Sequence, residues 1–131
     1  MRTLGFPHQF KALPWADVRD NIGPVAAEHP ECGYLIDIID SVLESGRENE
    51  LAVTTSHNSL LITPAPPAPP PIELLRVNAP DERRNAQPGH VRIEHLSVTG
   101  RNDDIERPTS EAVALFWRFA IEKFGVHPDH E

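Results

Sequence analysis

The stretch Leu51-Ala52-Val53-Thr54-Thr55-Ser56-His57-Asn58-Ser59-Leu60-Leu61-Ile62-Thr63 decides how this chain is read. Leu51, Val53 and Thr55 alternate with Ala52, Thr54 and Ser56, the period of two that sends successive side chains to opposite faces of a strand. Val and Thr are β-branched and suit a pleated, half-buried surface. Leu60 to Thr63 form a second apolar run, and His57-Asn58 between the runs predicts a tight hairpin. Pro64 ends the second strand, because proline has no N–H for a ladder.

Upstream of this hairpin the period is helical. From Pro30 to Glu44, Leu35, Ile38, Ile39, Val42 and Leu43 fall on one face, and Asp37, Asp40, Ser41 and Glu44 on the other. Gly46 is a natural C-terminal stop. Further back, Pro14 suits the first turn of a helix, and Trp15, Val18 and Ile22 make one stripe. Gly23-Pro24 is expected to stop or kink that helix. Phe6, Phe10 and Leu13 can anchor an N-terminal arm.

Downstream, residues 64–71 hold six prolines in eight positions. They predict an extended polyproline strap of ~25 Å at about 3.1 Å per residue. Ile72 to Val77 reads as a strand and residues 78–89 as a polar loop. Val91 and Ile93 share one strand face, whereas Leu96 and Val98 have the opposite parity. Either both sheet faces are covered or a β-bulge near Glu94-His95 resets the phase, and the reading favours the bulge. Residues 100–107 read as a polar loop. Thr109 or Ser110 is expected to cap a helix running to about Phe124, with Gly125 closing it. Segregated helices and strands with short links imply a single α+β domain over residues 1–131. Its antiparallel sheet has about four strands packed against helices, with the proline-rich strap, a C-terminal helix and a polar tail at 127–131.

The composition narrows the function classes. The chain has 131 residues, close to one domain at ~150 residues per domain. Twelve basic and twenty acidic side chains give a net charge of −8, which disfavours a phosphate-neutralising surface and hence nucleic acid. No apolar run approaches the roughly 18 residues of a membrane span. The N-terminus shows no signal peptide, and Cys32 stands alone, so the expected address is cytoplasmic and no disulfide framework exists. No glycine-rich phosphate loop is present and no cofactor is implied.

The charge is unevenly distributed. Residues 17–50 carry nine acids against Arg19 and Arg47, a net of −7, and the rest of the chain nets −1. A one-sided field steers a partner of opposite sign and raises its on-rate. The expected partner-binding residues are therefore Asp37, Asp40, Glu44 and Glu48. Arg101, Asp103 and Asp104, from the densest charged loop, join them.

Other chemistry is thinner. His29 with Cys32, and His127 with His130, lack the second ligand pair that structural zinc needs. His90 and His95 fall on opposite faces of a regular strand. Ser56, His57 and Ser59 have no G-x-S-x-G elbow around them. One alternative is a small enzyme using His95 with Asp103 or Asp104 for acid–base chemistry. Another is a small-molecule or regulatory module with a pocket between the C-terminal helix and the sheet, lined by Phe116, Trp117 and Phe124. The leading expectation is a non-catalytic protein that neutralises or escorts a basic protein, as immunity proteins, antitoxins and secretion chaperones do. The order of strands, polar loop, proline and terminal helix over about the last 60 residues loosely resembles the layout of some immunity proteins. An exposed edge strand could also pair two copies of the chain.

Overall fold

A computed structural model describes residues 6–80, 87–99 and 101–128. Five strands form one antiparallel sheet in sequence order, a meander, with the helices layered on one face. The α+β class and the antiparallel sheet are as expected; the sheet has five strands where about four were predicted.

Helix α1 (Trp15–Glu28) starts after Pro14, which sits just outside the helix at φ −58° and ψ 139°. The helix runs through Gly23 and Pro24, so of the expected stop or kink the stop does not occur. A 3-10 turn (Pro30–Cys32) leads into α2 (Gly33–Ser45), which Gly46 closes in the left-handed region at φ 74°. That is the stop the sequence called for, since only glycine adopts this conformation without steric cost.

Strands β1 (Leu51–Ser56) and β2 (Ser59–Pro64) form the expected hairpin. His57 and Asn58 both have positive φ, 51° and 71°, as a two-residue primed turn requires. Residues 65–71 do not form the straight extended strap expected of them. The chain bends at 65–66 and again at 69–71, and the Ala65–Pro66 and Pro70–Pro71 bonds are cis.

Strands β3 (Leu74–Val77) and β4 (His90–Leu96) pair in unbroken register, Leu74 opposite Leu96 and Val77 opposite Ile93. The expected bulge at Glu94-His95 is absent. The parity conflict is resolved the other way: both faces of the sheet are covered. Val91, Ile93 and His95 face the helices, and Leu96 (5% exposed) faces a second apolar cluster behind the sheet. Val98, of the same parity, lies past the strand end and is 46% exposed.

The segment read as a polar loop supplies the fifth strand, β5 (Asp103–Pro108). Its Ile105, half-buried, sits opposite Ile93, and its other positions are exposed. It is an edge strand whose charges discourage pairing with another chain. A 3-10 turn (Thr109–Glu111) opens α3 (Ala112–Phe119), which continues as a π turn over Ala120–Phe124 and closes at Gly125, φ 69°. Neither Thr109 nor Ser110 is the cap: Pro108 precedes the 3-10 turn and Glu111 occupies the cap position of α3, with no side-chain cap hydrogen bond at either.

The main core lies between helices and sheet. Trp15, Val18, Leu35, Ile38, Phe116 and Trp117 from the helices meet Leu51, Val53, Ile62, Leu75 and Ile93 from the strands. Trp15 donates its indole N–H to the Leu51 carbonyl at 2.7 Å, and Trp117 donates to Ser41 Oγ at 3.0 Å. The two indole groups are thereby satisfied where burial would otherwise make them costly. Of the expected pocket lining, Phe116 and Trp117 are buried in the core and stack edge to face with centroids 5.1 Å apart, and Phe124, partly buried, packs against it.

The rear cluster joins Phe10, Ala52, Leu61, Ile72, Leu74 and Leu96, with Phe6 and Ala65 at its margin. The N-terminal arm builds it by bridging two strands' worth of backbone. Phe6 and Ile72 exchange hydrogen bonds of 2.7 and 2.9 Å, and Leu13 N–H bonds the Val53 carbonyl at 2.8 Å.

Candidate functional site

The seven residues expected to bind a partner do not form one surface. Asp37, Glu44 and Glu48 are exposed on or just beyond α2, and none has an ion-pair partner among the described residues. Asp40 is engaged by Arg19 of α1, Nε to Oδ1 at 2.5 Å and Nη2 to Oδ2 at 3.3 Å. That bond holds the Arg19 guanidinium above its usual pKa, chiefly through hydrogen bonding to Asp40 and then its charge.

The β4–β5 end behaves differently. Arg101 is exposed in the connecting turn. Asp103 is bonded by Lys123 of the π turn, and this hydrogen bond, with the ammonium charge behind it, lowers the Asp103 pKa. Asp104, the next residue, points to the opposite face, as adjacent strand residues must. It pairs with Arg92 Nη2 at 3.1 Å and raises the Arg92 pKa through that bond. Two acids that the sequence placed in one cluster therefore sit on two faces of the sheet, each beside its own cation.

His95 is buried at 4% exposure, with its backbone opposite Asp103 in the ladder. His95 and Asp103 are thus neighbours across the ladder, while Asp104 turns to the other face. The imidazole is claimed by a residue the sequence reading missed: Nε2 lies 2.9 Å from Glu73 Oε2. The Phe124 ring meets it edge-on at 6.4 Å, and Nδ1 is enclosed with no hydrogen-bond partner. His90, at the other end of the strand, is half-buried and opens onto a cleft. Among the described residues, no three His, Cys, Asp or Glu side chains come together in a way that could hold a metal ion.

Two clefts border the N-terminal end of α2. The first, about 600 Å³, has Tyr34 and Asp37 of α2 on one side and Pro88, His90 and Thr109 on another. The second, about 570 Å³, runs past Val25, Glu28, His29 and Cys32 to Asn58 of the hairpin turn. Glu31 and Pro80 line both, so the two are neighbouring stretches of one groove. Among the described residues its acids are Glu28, Glu31 and Asp37, and no described Lys or Arg lines it. Glu31 has His29 Nδ1 at 4.0 Å, both side chains being largely exposed.

Local sequence explains the groove walls. Pro24, Pro30, Pro80 and Pro88 are rigid and donate no N–H, so they shape a wall without competing for ladder bonds. Tyr34 is fixed from below by donating its hydroxyl to the Asn78 carbonyl, and Asn78 in turn donates to the Arg92 carbonyl and to Glu94 Oε2, both at 3.0 Å. Asp37 and His90 were each singled out in the sequence, for other roles; Glu31 and Tyr34 were not, because the convergence depends on a 3-10 turn, a helix and a strand end meeting. No helix among the described residues is long and apolar enough to cross a membrane. No family model, curated protein or solved structure matches this chain.

Proposed function

We propose that this chain is a non-catalytic, cytoplasmic interaction protein that captures a basic protein partner through the acidic surface of α1 and α2. The observation that carries this reading is the separation of paired from unpaired acids. Asp17, Asp20, Glu28, Asp37, Glu44 and Glu48 have no ion-pair partner among the described residues, whereas Asp103 and Asp104 on β5 each have a cation beside them. Unneutralised acids on one side leave a field that reaches about a Debye length, ~8 Å at physiological salt. Such a field speeds the encounter with a basic surface and repels acidic ones. Neutralisation or escort of a toxic or aggregation-prone basic protein fits this arrangement. The predicted partner-binding set contracts in this reading to Asp37, Glu44 and Glu48, with Asp40 acting through its bond to Arg19.

The test begins with recovery of the partner from an extract of the source organism and its identification by mass spectrometry. Association of the purified pair is then measured from 50 to 500 mM salt, with the wild-type chain and with Asp20→Lys, Glu44→Lys and Glu48→Lys combined. The reading expects a basic partner, an on-rate falling at least about tenfold over that salt range, and a further loss in the triple variant. A partner of acidic character, or association indifferent to both salt and charge reversal, overturns it.

A further inference from the structure

The rear face of the sheet is covered by a segment that belongs to no helix or strand. Residues 6–13 are held to it at both ends through backbone. Phe6 and Ile72 exchange hydrogen bonds of 2.7 and 2.9 Å, and the Leu13 N–H donates to the Val53 carbonyl at 2.8 Å. Between these fixed ends Phe10, 6% exposed, enters an apolar seat made by Ala52, Leu61, Ile72, Leu74 and Leu96. Phe6 is half-buried, and the other residues from Pro7 to Leu13 are exposed.

That is the contact pattern of a bound peptide: backbone pairing sets the register, and one aromatic side chain anchors it in an apolar pocket. None of these contacts depends on the covalent link to α1, because they fall on β1 and just ahead of β3. Only Pro14 stands between Leu13 and Trp15, the first residue of α1, whose indole is itself bonded to Leu51. Identical chains exchange a segment readily across a connection this short, since the exchanged pair makes the same contacts as two closed monomers. The balance is then set by the effective concentration of the tethered arm, on the order of millimolar for a short link.

From this geometry we infer that the rear face is a peptide-binding site, filled in cis by residues 6–13 and open in trans to the same segment of a second copy. The closed monomer prevails well below about millimolar concentration, and reciprocal exchange gives a two-fold dimer near and above it. The site is independent of the acidic surface of α1 and α2, which lies on the other side of the sheet.

The test uses two full chains, each with Cys32→Ser to remove the single native thiol. One carries Phe6→Cys and the other Ile72→Cys. Residues paired across such a bridge have Cα atoms about 5.5 Å apart, within reach of a disulfide. The chains are mixed in a glutathione redox buffer, and the mixed disulfide is measured on non-reducing gels. Its yield should rise at least about fivefold between about 10 µM and about 1 mM protein. At about 1 mM it should exceed at least about threefold the yield with Lys11→Cys, an exposed arm position out of register, in place of Phe6→Cys. Phe10→Ala added to the Ile72→Cys chain weakens the resident arm and should raise the yield. The same change added to the Phe6→Cys chain removes the incoming anchor and should lower it. A competition without that substitution keeps the test decisive if Phe10→Ala unfolds the chain. The acetylated and amidated peptide of residues 6–13, in about tenfold excess, should at least halve the yield, and its Phe10→Ala version should not. A yield no greater than with Lys11→Cys, independent of concentration, the same whichever chain carries Phe10→Ala, or unmoved by the peptide would each overturn the inference.

Discussion

Replacing Leu96 by Ala tests the feature that most changes how this sheet is understood, its second covered face. Leu96 is 5% exposed and belongs to the rear cluster with Phe10, Leu61, Ile72 and Leu74. The substitution deletes about three carbons, each worth ~0.8 kcal/mol when buried. A residual cavity adds to that, although the arm behind the sheet is free to settle inward, so a loss of about 2.5–3 kcal/mol is expected. Phe10→Ala removes more area, but the arm that carries it relaxes more readily, and about 2–3 kcal/mol is expected. Val98→Ala, at a residue 46% exposed, should change stability by no more than about 0.5 kcal/mol. Urea unfolding followed by tryptophan fluorescence is a suitable assay, because Trp15 and Trp117 both lie in the main core and report its loss. The midpoint should fall in the Leu96 and Phe10 variants with the slope unchanged. If Leu96→Ala costs less than about 1 kcal/mol, or no more than Val98→Ala, the rear cluster does not contribute as a core and the reasoning fails.

Other outcomes follow from the turn, the ion pairs and the surface field. Asn58→Val places a β-branched residue at φ 71° and should cost about 1–2 kcal/mol by urea unfolding, while Asn58→Gly should stay within about 0.5 kcal/mol of wild type. The Asp103 carboxyl is titrated below its usual range by Lys123, so its stabilising effect is complete above the unfolded value near pH ~4 and is lost as pH falls through the lower folded value. Thermal melts of wild type and Asp103→Asn should therefore differ at neutral pH and converge below about pH 4; the gap at neutral pH should be under about 1 kcal/mol because the pair is exposed. Arg19→Ala releases Asp40 from the guanidinium that holds it and should raise the on-rate of a basic partner about twofold at low salt, measured by surface plasmon resonance.

Much of this fold was legible because local signals and tertiary packing agree over long stretches. The hairpin at His57-Asn58, the α2 stop at Gly46 and the helix end at Gly125 each rest on a backbone conformation that the residue type favours. The errors share a cause: the winning interaction is non-local. β5 has one apolar residue in six and is a strand only because β4 offers a ladder to it. Gly23-Pro24 fails to end α1 because the helix packs along α2, and tertiary contact overrides propensity. Leu96 looked out of phase because the sequence gives no sign that Phe10, 86 positions earlier, returns to cover it. The candidate site follows the same rule. Asp37 was visible from helical period, but its neighbours in the groove come from the 3-10 turn at Pro30, from Pro80 and from Pro88–His90. Asp103 and Asp104 were misgrouped because a loop reading ignores the alternation that a strand imposes.

The arm at the start of the described chain has a bearing on how the protein is made and handled. Its two anchor points lie on Val53 and Ile72, so during synthesis Leu13 has no seat until 40 further residues (53 minus 13) have emerged, and Phe6 none until 66 (72 minus 6) have. At about 5–20 residues per second that wait lasts several seconds. During it Phe6 and Phe10 are uncovered apolar groups, and the strand surface they will cover does not yet exist. A bulky group attached to residues 6–13 would burden the segment that must still find its place.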